Sequence, residues 1–355
     1  MRSFSQLRRH GGSSLVDVLV GVTVALLTVL VVYRVFAVTE ALRRDVQGAA
    51  DAQQNGLFVL SRLAFDIDNA GAGIAASAGA LATCPAAASF ADTLRPVTVL
   101  INDGGGDELP DSVAVRYGVA PGLAVAIPFA ASAPAGSNFL VRSPGGFAVG
   151  DRVIAVGRNG VCVETQVVAL GSPSAGLLEV TPGPVAQSLP DTSLLLNLGA
   201  TNRAQTLRYD VSSGVLRTTD LAGKDAPNPL ASNIVNLKLQ YGIDSDGDGN
   251  LDTWVPAVDA GALGSWTATA LVAAPLETLR HIRAIRIGLV VRSELPDRNI
   301  RDGFGWTLFD CGATDKTKCP GRLTGFIPIG SNGGWRYRVY ETVVPLHNAI
   351  RSAMP

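Results

Sequence analysis

The chain has 355 residues, room for one elaborate domain or two average ones, and 29 Lys and Arg against 30 Asp and Glu leave a net charge of −1. That balance excludes a strongly basic nucleic-acid surface and an acidic disordered tail. Charged residues are 17% of the chain, below the roughly 25% of soluble domains, and 39 Gly with 20 Pro point to many turns. With only three His, a multi-His metal enzyme lacks ligands and a Ser/His/Asp enzyme has few candidates.

The first twelve residues are polar, with Arg2, Arg8 and Arg9 as fixed positive charges. Residues 15–36 then read LVDVLVGVTVALLTVLVVYRVF, about 22 residues, enough to cross a ~30 Å hydrocarbon core. The leading arginines place the N-terminus in the cytoplasm by the positive-inside rule. No small-residue cleavage site follows the apolar run, which continues through Tyr33-Arg34-Val35-Phe36 into a helical pattern. Asp17 stands near its start, where an unpaired carboxylate costs several kcal/mol. It is either hydrated at the interface or paired inside the membrane. From Thr39 the pattern is amphipathic: Ala41, Leu42, Val46, Ala49, Leu57, Leu60, Ala64 and Ile67 recur at helical spacing. The cluster Asn69-Ala70-Gly71-Ala72-Gly73 stops it, so one helix from Ser13 to about Asn69 would run ~85 Å.

Residues 74–90 are rich in Ala, Ser and Gly and read as a loop. Short strands follow, at 112–117, 152–156, 161–170 and 177–181, and LRYDVSSGVLR at 207–217 reads as a hairpin. Val235, Leu237, Leu239 and Tyr241 alternate with Asn236, Lys238 and Gln240, as in a strand with one buried face. Ile285, Ile287, Leu289 and Val291 do the same, and Arg283, Arg286 and Arg292 read as the solvent face of that sheet. The last strand is WRYRVYETVV, 335–344. The expected class is α+β, a long N-terminal helix against an antiparallel, β-rich head.

Four cysteines in an exported domain suggest disulfides, with three pairings open. Cys311 and Cys319 flank the polar GATDKTK, which a short bridge could close, and Cys84 and Cys162 would then form a long-range link. A Cys₄ metal site is disfavoured because there is no C-x-x-C pair. His281 and His347 belong to no catalytic motif, and Gly104-Gly105-Gly106 lacks the following Lys and Ser or Thr of a phosphate cradle.

One cluster carries metal chemistry. Asp244, Asp246, Asp248, Asn250 and Asp252 fall at positions 1, 3, 5, 7 and 9 of a calcium loop, with Gly249 at position 6. Position 12 is Val255, so the bidentate Glu is absent. Weak calcium binding and an ordinary Asp- and Gly-rich turn both fit.

The basic leader, Gly12, and an acid at the fifth place of an apolar helix together resemble a type IV prepilin. The resemblance implies cleavage after Gly12 by a dedicated peptidase and methylation of Ser13 as the new N-terminus. It also implies that Asp17 neutralises the amine of a neighbouring subunit during assembly. Ser13 stands where Phe is usual, and Asp17 where Glu is usual. The helix end LFVLSRLAFDIDNAGAG, with the strand segments NIVNLKLQYGIDSDGDG and IRAIRIGLVVRS and the terminal RYRVYETVVPLHN, resembles the PilW group of minor pilins; GDRVIAVGRNGVCVE is a weaker match. The resemblance divides the chain into a leader (1–12), a long helix with its transmembrane segment (13–70) and a periplasmic head (71–355).

It implies a non-enzymatic subunit that helps initiate pilus assembly near the filament tip. Its partners would be other minor pilins, the major pilin, the prepilin peptidase and the assembly machinery, with no nucleic acid. It would reside in the inner membrane and then in the surface pilus. A minor pseudopilin of a type II secretion system, or a membrane-anchored surface adhesin, would use the same helix.

Overall fold

The computed structural model describes residues 15–118, 125–200, 205–223, 225–259, 264–297, 300–315, 319–329 and 334–348. Helix α1, Leu15–Asp68, contains no proline and runs unbroken for 54 residues. Its first part, Leu15–Glu40, is long and apolar enough to cross a membrane. The chain divides into two compact units, residues 1–50 and 51–355, so the last turns of α1 fold with the head. Gly71 and Gly73, at φ +83° and +71°, turn the chain out of the helix.

The stretch after α1 is more structured than its composition suggests. A 3₁₀ turn, Ala75–Ser77, leads into the short helix α2, Ala78–Leu81. The physical reason is burial: Ile74, Leu81 and Cys84 pack against Ile154, Val156, Leu196 and Leu198.

The strands follow in order: β1 Val99–Asn102, β2 Ser112–Tyr117, β3 Ile127–Pro128, β4 Phe139–Val141, β5 Asp151–Val156, β6 Cys162–Leu170, β7 Leu178–Pro182, β8 Leu194–Ala200, β9 Gln205–Ser212 and β10 Val215–Asp220. After them come β11 Asn228–Ser232, β12 Ile234–Ile243, β13 Thr253–Val255, the helices α3 Ala268–Ala273 and α4 Leu276–Arg280, then β14 Ile282–Arg292, β15 Phe304–Leu308, β16 Leu323–Ile327 and β17 Tyr337–Pro345. The architecture is α+β with antiparallel sheets, as the patterning predicts.

Strands β3-β8-β5-β6-β7-β4 form one sheet. Its two ends meet: Phe129 bridges Val141, Ala130 N–H donates to Leu140 at 2.7 Å, and Arg142 N–H to Pro128 at 2.9 Å. The sheet therefore closes into a small barrel over its own core of Phe129, Phe139, Val153, Val180 and Leu195. Period-2 alternation splits β5 cleanly, with Val153 and Ala155 facing the barrel core and Ile154 and Val156 facing the segment after α1. A disulfide between Cys84 and Cys162 ties that segment to β6.

The other two large sheets, β1-β2-β9-β10-β11 and β13-β12-β14-β17, share one core. Val59, Leu63 and Ile67 of α1 join it, with Val113, Tyr209, Leu239, Ile287 and Leu289 from the sheets. Strand β12 departs from the expected one-sided pattern. Asn236, Lys238 and Gln240, on the face opposite Leu237 and Leu239, are 2%, 2% and 1% exposed. The loop 103–111 and the segment around Pro320 and Gly321 cover that face and supply the polar partners. Arg286 is likewise buried, which corrects the solvent-face reading. Its Nη2 donates to Pro320 O at 2.7 Å, its Nε to Gln240 Oε1 at 2.9 Å, and its guanidinium lies between the Trp254 and Phe309 rings. Burial pushes its pKa down to about 10. Strands β15 and β16 form a separate two-stranded ribbon, beyond which Cys311 and Cys319 are bridged.

Candidate functional site

Gly12 and Ser13, the expected processing residues, lie outside the described residues. Asp17 is placed in the first turn of α1, where a carboxylate also complements the positive end of the helix dipole. Around it Leu15, Val16, Leu19, Val20 and the following apolar side chains to Val38 are exposed. A stretch of apolar surface this long is not left to water, so it requires a lipid or protein environment.

The lower end of α1 is seated by a buried ionic network. Asp66 is fully buried. The Tyr117 hydroxyl donates to its Oδ1 at 2.7 Å, and the Tyr209 hydroxyl donates to its Oδ2. Arg62, one turn earlier on the helix, reaches Oδ2 at 3.1 Å and the Tyr209 oxygen at 3.2 Å. Tyr117 lies on β2 and Tyr209 on its neighbour β9, so one carboxylate fastens the helix to two adjacent strands. Burial, and then the hydrogen bond to Asp66 and its charge, push both phenols above their ordinary range. They remain donors across physiological pH.

This seat explains the helix-end motif. Leu63, Asp66, Ile67 and Ala70 are all buried, and Gly71 adopts a positive φ with its N–H on Arg116 O at 3.0 Å. A Cβ there would lie 2.7 Å from the Asn348 carbonyl oxygen. Asn348 and His347 belong to the terminal segment, and His347 pairs with Asp68. Higher on the helix, a Cβ on Gly56 would strike the Tyr340 ring at 2.5 Å. The helix end and the terminal strand, far apart in sequence, thus meet in space.

The acidic loop follows β12 directly. Asp244 is buried, and its carboxylate accepts from Gly247 N–H at 2.7 Å, Gly249 N–H at 3.0 Å, and Arg283 Nη2 at 2.8 Å. Burial pushes this carboxyl up, but Arg283 and the two amides outweigh it and hold it below the usual carboxylate range. Asp252 accepts from the Ser245 amide and hydroxyl at 2.7 and 2.6 Å. Ligand atoms of Asp244, Asp246 and Asp252 converge within 4.8 Å of one another. Asp248 instead accepts from Asn250 N–H at 2.7 Å and its side-chain amide at 2.8 Å. Three of the five expected ligands are therefore gathered, and Arg283 supplies a positive charge beside them.

Sequence reasoning also missed the burial of Lys238, Asp111 and Arg116. Lys238 and Asp111 form an ion pair at 2.7 Å, each 3% exposed at the side chain. Asp111 also accepts from Gly104 N–H at 3.0 Å and Leu239 N–H at 2.9 Å. Arg116 is buried beneath the carbonyls of Phe90 and Thr93, and burial pushes its pKa down to about 10. For Lys238 and Arg116 the signal was a charged residue inside an apolar strand pattern, which names no partner; Asp111, in the loop before β2, carried none.

The family model described as type IV pilus-assembly protein W matches residues 201–348. No curated protein matches the chain. Among solved structures, a type IV-like pilin from Thermus thermophilus is similar at 14% identity over 57% of this chain and 87% of that chain, with a TM-score of 0.24. The matched residues contain β9 to β17, the acidic loop and the terminal segment that meets the helix end. Over residues 201–348 this chain is therefore similar to the PilW family of type IV pilus-assembly proteins.

Proposed function

We propose that the chain is a minor pilin of a type IV pilus, a non-enzymatic subunit that helps initiate assembly near the filament tip. The observation that carries this reading is α1 itself: an apolar, membrane-length stretch continues without a break into a helix end seated on the head by Asp66. In this reading the leader is removed after Gly12, Ser13 becomes the methylated N-terminus, and the prepilin peptidase is the first partner. The head faces the periplasm while the helix rests in the inner membrane, and both then enter the filament with the other minor pilins and the major pilin. Asp17 neutralises the amine of a neighbouring subunit there, since two buried charges are costly alone and tolerable together.

Asp17 variants test the assembly role. Asp17→Ala is expected to insert and mature normally but to fail to enter filaments, and Asp17→Glu to be tolerated. Full filament entry with Asp17→Ala would contradict it. For the acidic loop we propose a weak calcium site on Asp244, Asp246 and Asp252, completed by Asp248 and Asn250, in which the ion competes with Arg283. The convergence of the three carboxylates supports it.

A further inference from the structure

The outer edge of β16 is covered by side chains where a sheet would continue with backbone. Leu323, Gly325 and Ile327 stand opposite Leu308, Trp306 and Phe304 of β15. The intervening amides, Thr324 and Phe326, point the other way. Thr324 N–H donates to Asp107 Oδ2 at 3.2 Å, and Phe326 N–H donates to Glu108 Oε1 at 3.3 Å. The i, i+2 spacing is that of a β-ladder, with carboxylates replacing carbonyls. A two-stranded ribbon is marginal by itself and gains from a third strand, and an edge blunted by charge is the usual protection against unwanted pairing.

Three further observations mark this edge as built for an occupant. First, a cavity of about 370 Å³ opens beside it, lined by Asp103, Asp107, the buried Lys238–Asp111 pair, Pro256 and Leu323. Second, Asn236 is 2% exposed; its Nδ2 donates to Asp107 O at 2.8 Å, while its Oδ1 has no hydrogen-bond partner. A peptide unit in that position would supply both an acceptor and a donor. Third, the covering segment has glycines at its bend. Gly105 and Gly106 have φ +93° and +156° with open space around them, whereas Gly104 is pinned to Asp111 at the root. Leu109 and Phe326 add exposed apolar side chains, 54% and 56% exposed, next to the edge.

We propose that residues 103–109 are a displaceable guard over a strand-addition site on β16, and that the occupant is an extended, Lys- or Arg-bearing segment of another polypeptide. Backbone pairing supplies affinity, and a pocket for alternate side chains supplies selectivity. The charge assignment follows from the rim. Lys238 is neutralised by Asp111, β16 carries no charge, and Asp103, Asp107 and Glu108 are left to face the guest. On entry Asp107 exchanges the Thr324 amide for a basic side chain, and the guest carbonyls take over the two β16 amides. The site does not depend on the pilus reading.

Fluorescence anisotropy on the full chain in detergent micelles tests this with three synthetic nine-residue peptides. One alternates Val with Lys, the second alternates Val with Thr, and the third is the Lys peptide N-methylated on alternate amides. The Lys peptide is expected to bind about tenfold more tightly than the Thr peptide, and N-methylation to abolish binding. Phe326→Pro removes one outward amide at an edge position where proline is tolerated, and is expected to weaken the Lys peptide about tenfold with unfolding temperature retained. Asp107→Ala with Glu108→Ala removes the guard contacts, so the Thr peptide is expected to gain affinity and the preference for Lys to shrink. Equal binding of the methylated and unmethylated peptides would overturn the proposal, as would a Thr-peptide affinity unchanged by loss of the two carboxylates.

Discussion

The closed barrel of residues 125–200 and the sheet β13-β12-β14-β17 solve the same problem in opposite ways. The barrel removes its edges by closing, faces inward with Phe129, Phe139, Val153 and Leu195, and needs no buried charge in that core. The open sheet buries both faces of its central strands β12 and β14. Its second face carries Asn236, Lys238, Gln240 and Arg286, each held by a named partner from another segment. Closure needs only hydrophobic alternation. Burying a polar face requires specific partners, because an unpaired buried charge costs several kcal/mol. The family match falls on the second region and leaves the barrel outside it.

Two core substitutions sharpen the contrast most strongly. Phe139→Ala leaves a cavity in the barrel and is expected to cost about 3–5 kcal/mol. Asp66→Ala deletes the shared acceptor of Tyr117, Tyr209 and Arg62 and is expected to cost about 3 kcal/mol. Hydrogen exchange should place the first loss in residues 125–200 and the second in β2, β9 and the end of α1. Identical protection patterns for both variants would mean that the two regions are not separate cores.

The next effect is alkaline. The phenols of Tyr117 and Tyr209 sit above their ordinary range through burial and the carboxylate of Asp66, and burial also pushes Tyr241 up. The folded state holds these protons more tightly than the unfolded state. Their contribution is therefore complete below the unfolded value of about 10 and is lost as pH rises above it. Thermal unfolding should show stability falling above about pH 10, with a shallower slope for Tyr117→Phe. A slope unchanged by that substitution would remove Tyr117 from the account.

Calcium gives the smallest effect. With Arg283 on Asp244 and no acid at position 12, wild-type affinity is expected no tighter than about 10⁻⁴–10⁻³ M. Arg283→Gln should tighten it, because the ion no longer competes with a guanidinium. Calorimetry that finds no heat for either protein would leave the loop as an acidic turn.

Much of this was legible in the chain. The apolar run at 15–36, the stop at Asn69–Gly73 and the alternation along β12 and β14 could be read from residue type and spacing, whereas the cysteines left three pairings open until the structure joined Cys84 to Cys162 and Cys311 to Cys319. The burial of Lys238 and Arg286 could not, because period-2 alternation says which residues share a face and not whether a distant loop covers that face. Asp66 was visible inside a motif, yet its role depends on Tyr117 and Tyr209, 51 and 143 residues away. In the acidic loop, spacing picked out five residues, of which Asp244, Asp246 and Asp252 converge, and it missed Arg283, which lies 39 residues downstream.

The mass of the mature N-terminal peptide, recovered from membranes and from sheared filaments, tests the central claim most directly. A minor pilin begins at Ser13, with Met1 to Gly12 removed, and Gly12→Leu keeps the leader and stays out of filaments. A native chain that retains Met1 in the membrane and is absent from filaments would contradict the assignment and leave α1 as a plain anchor.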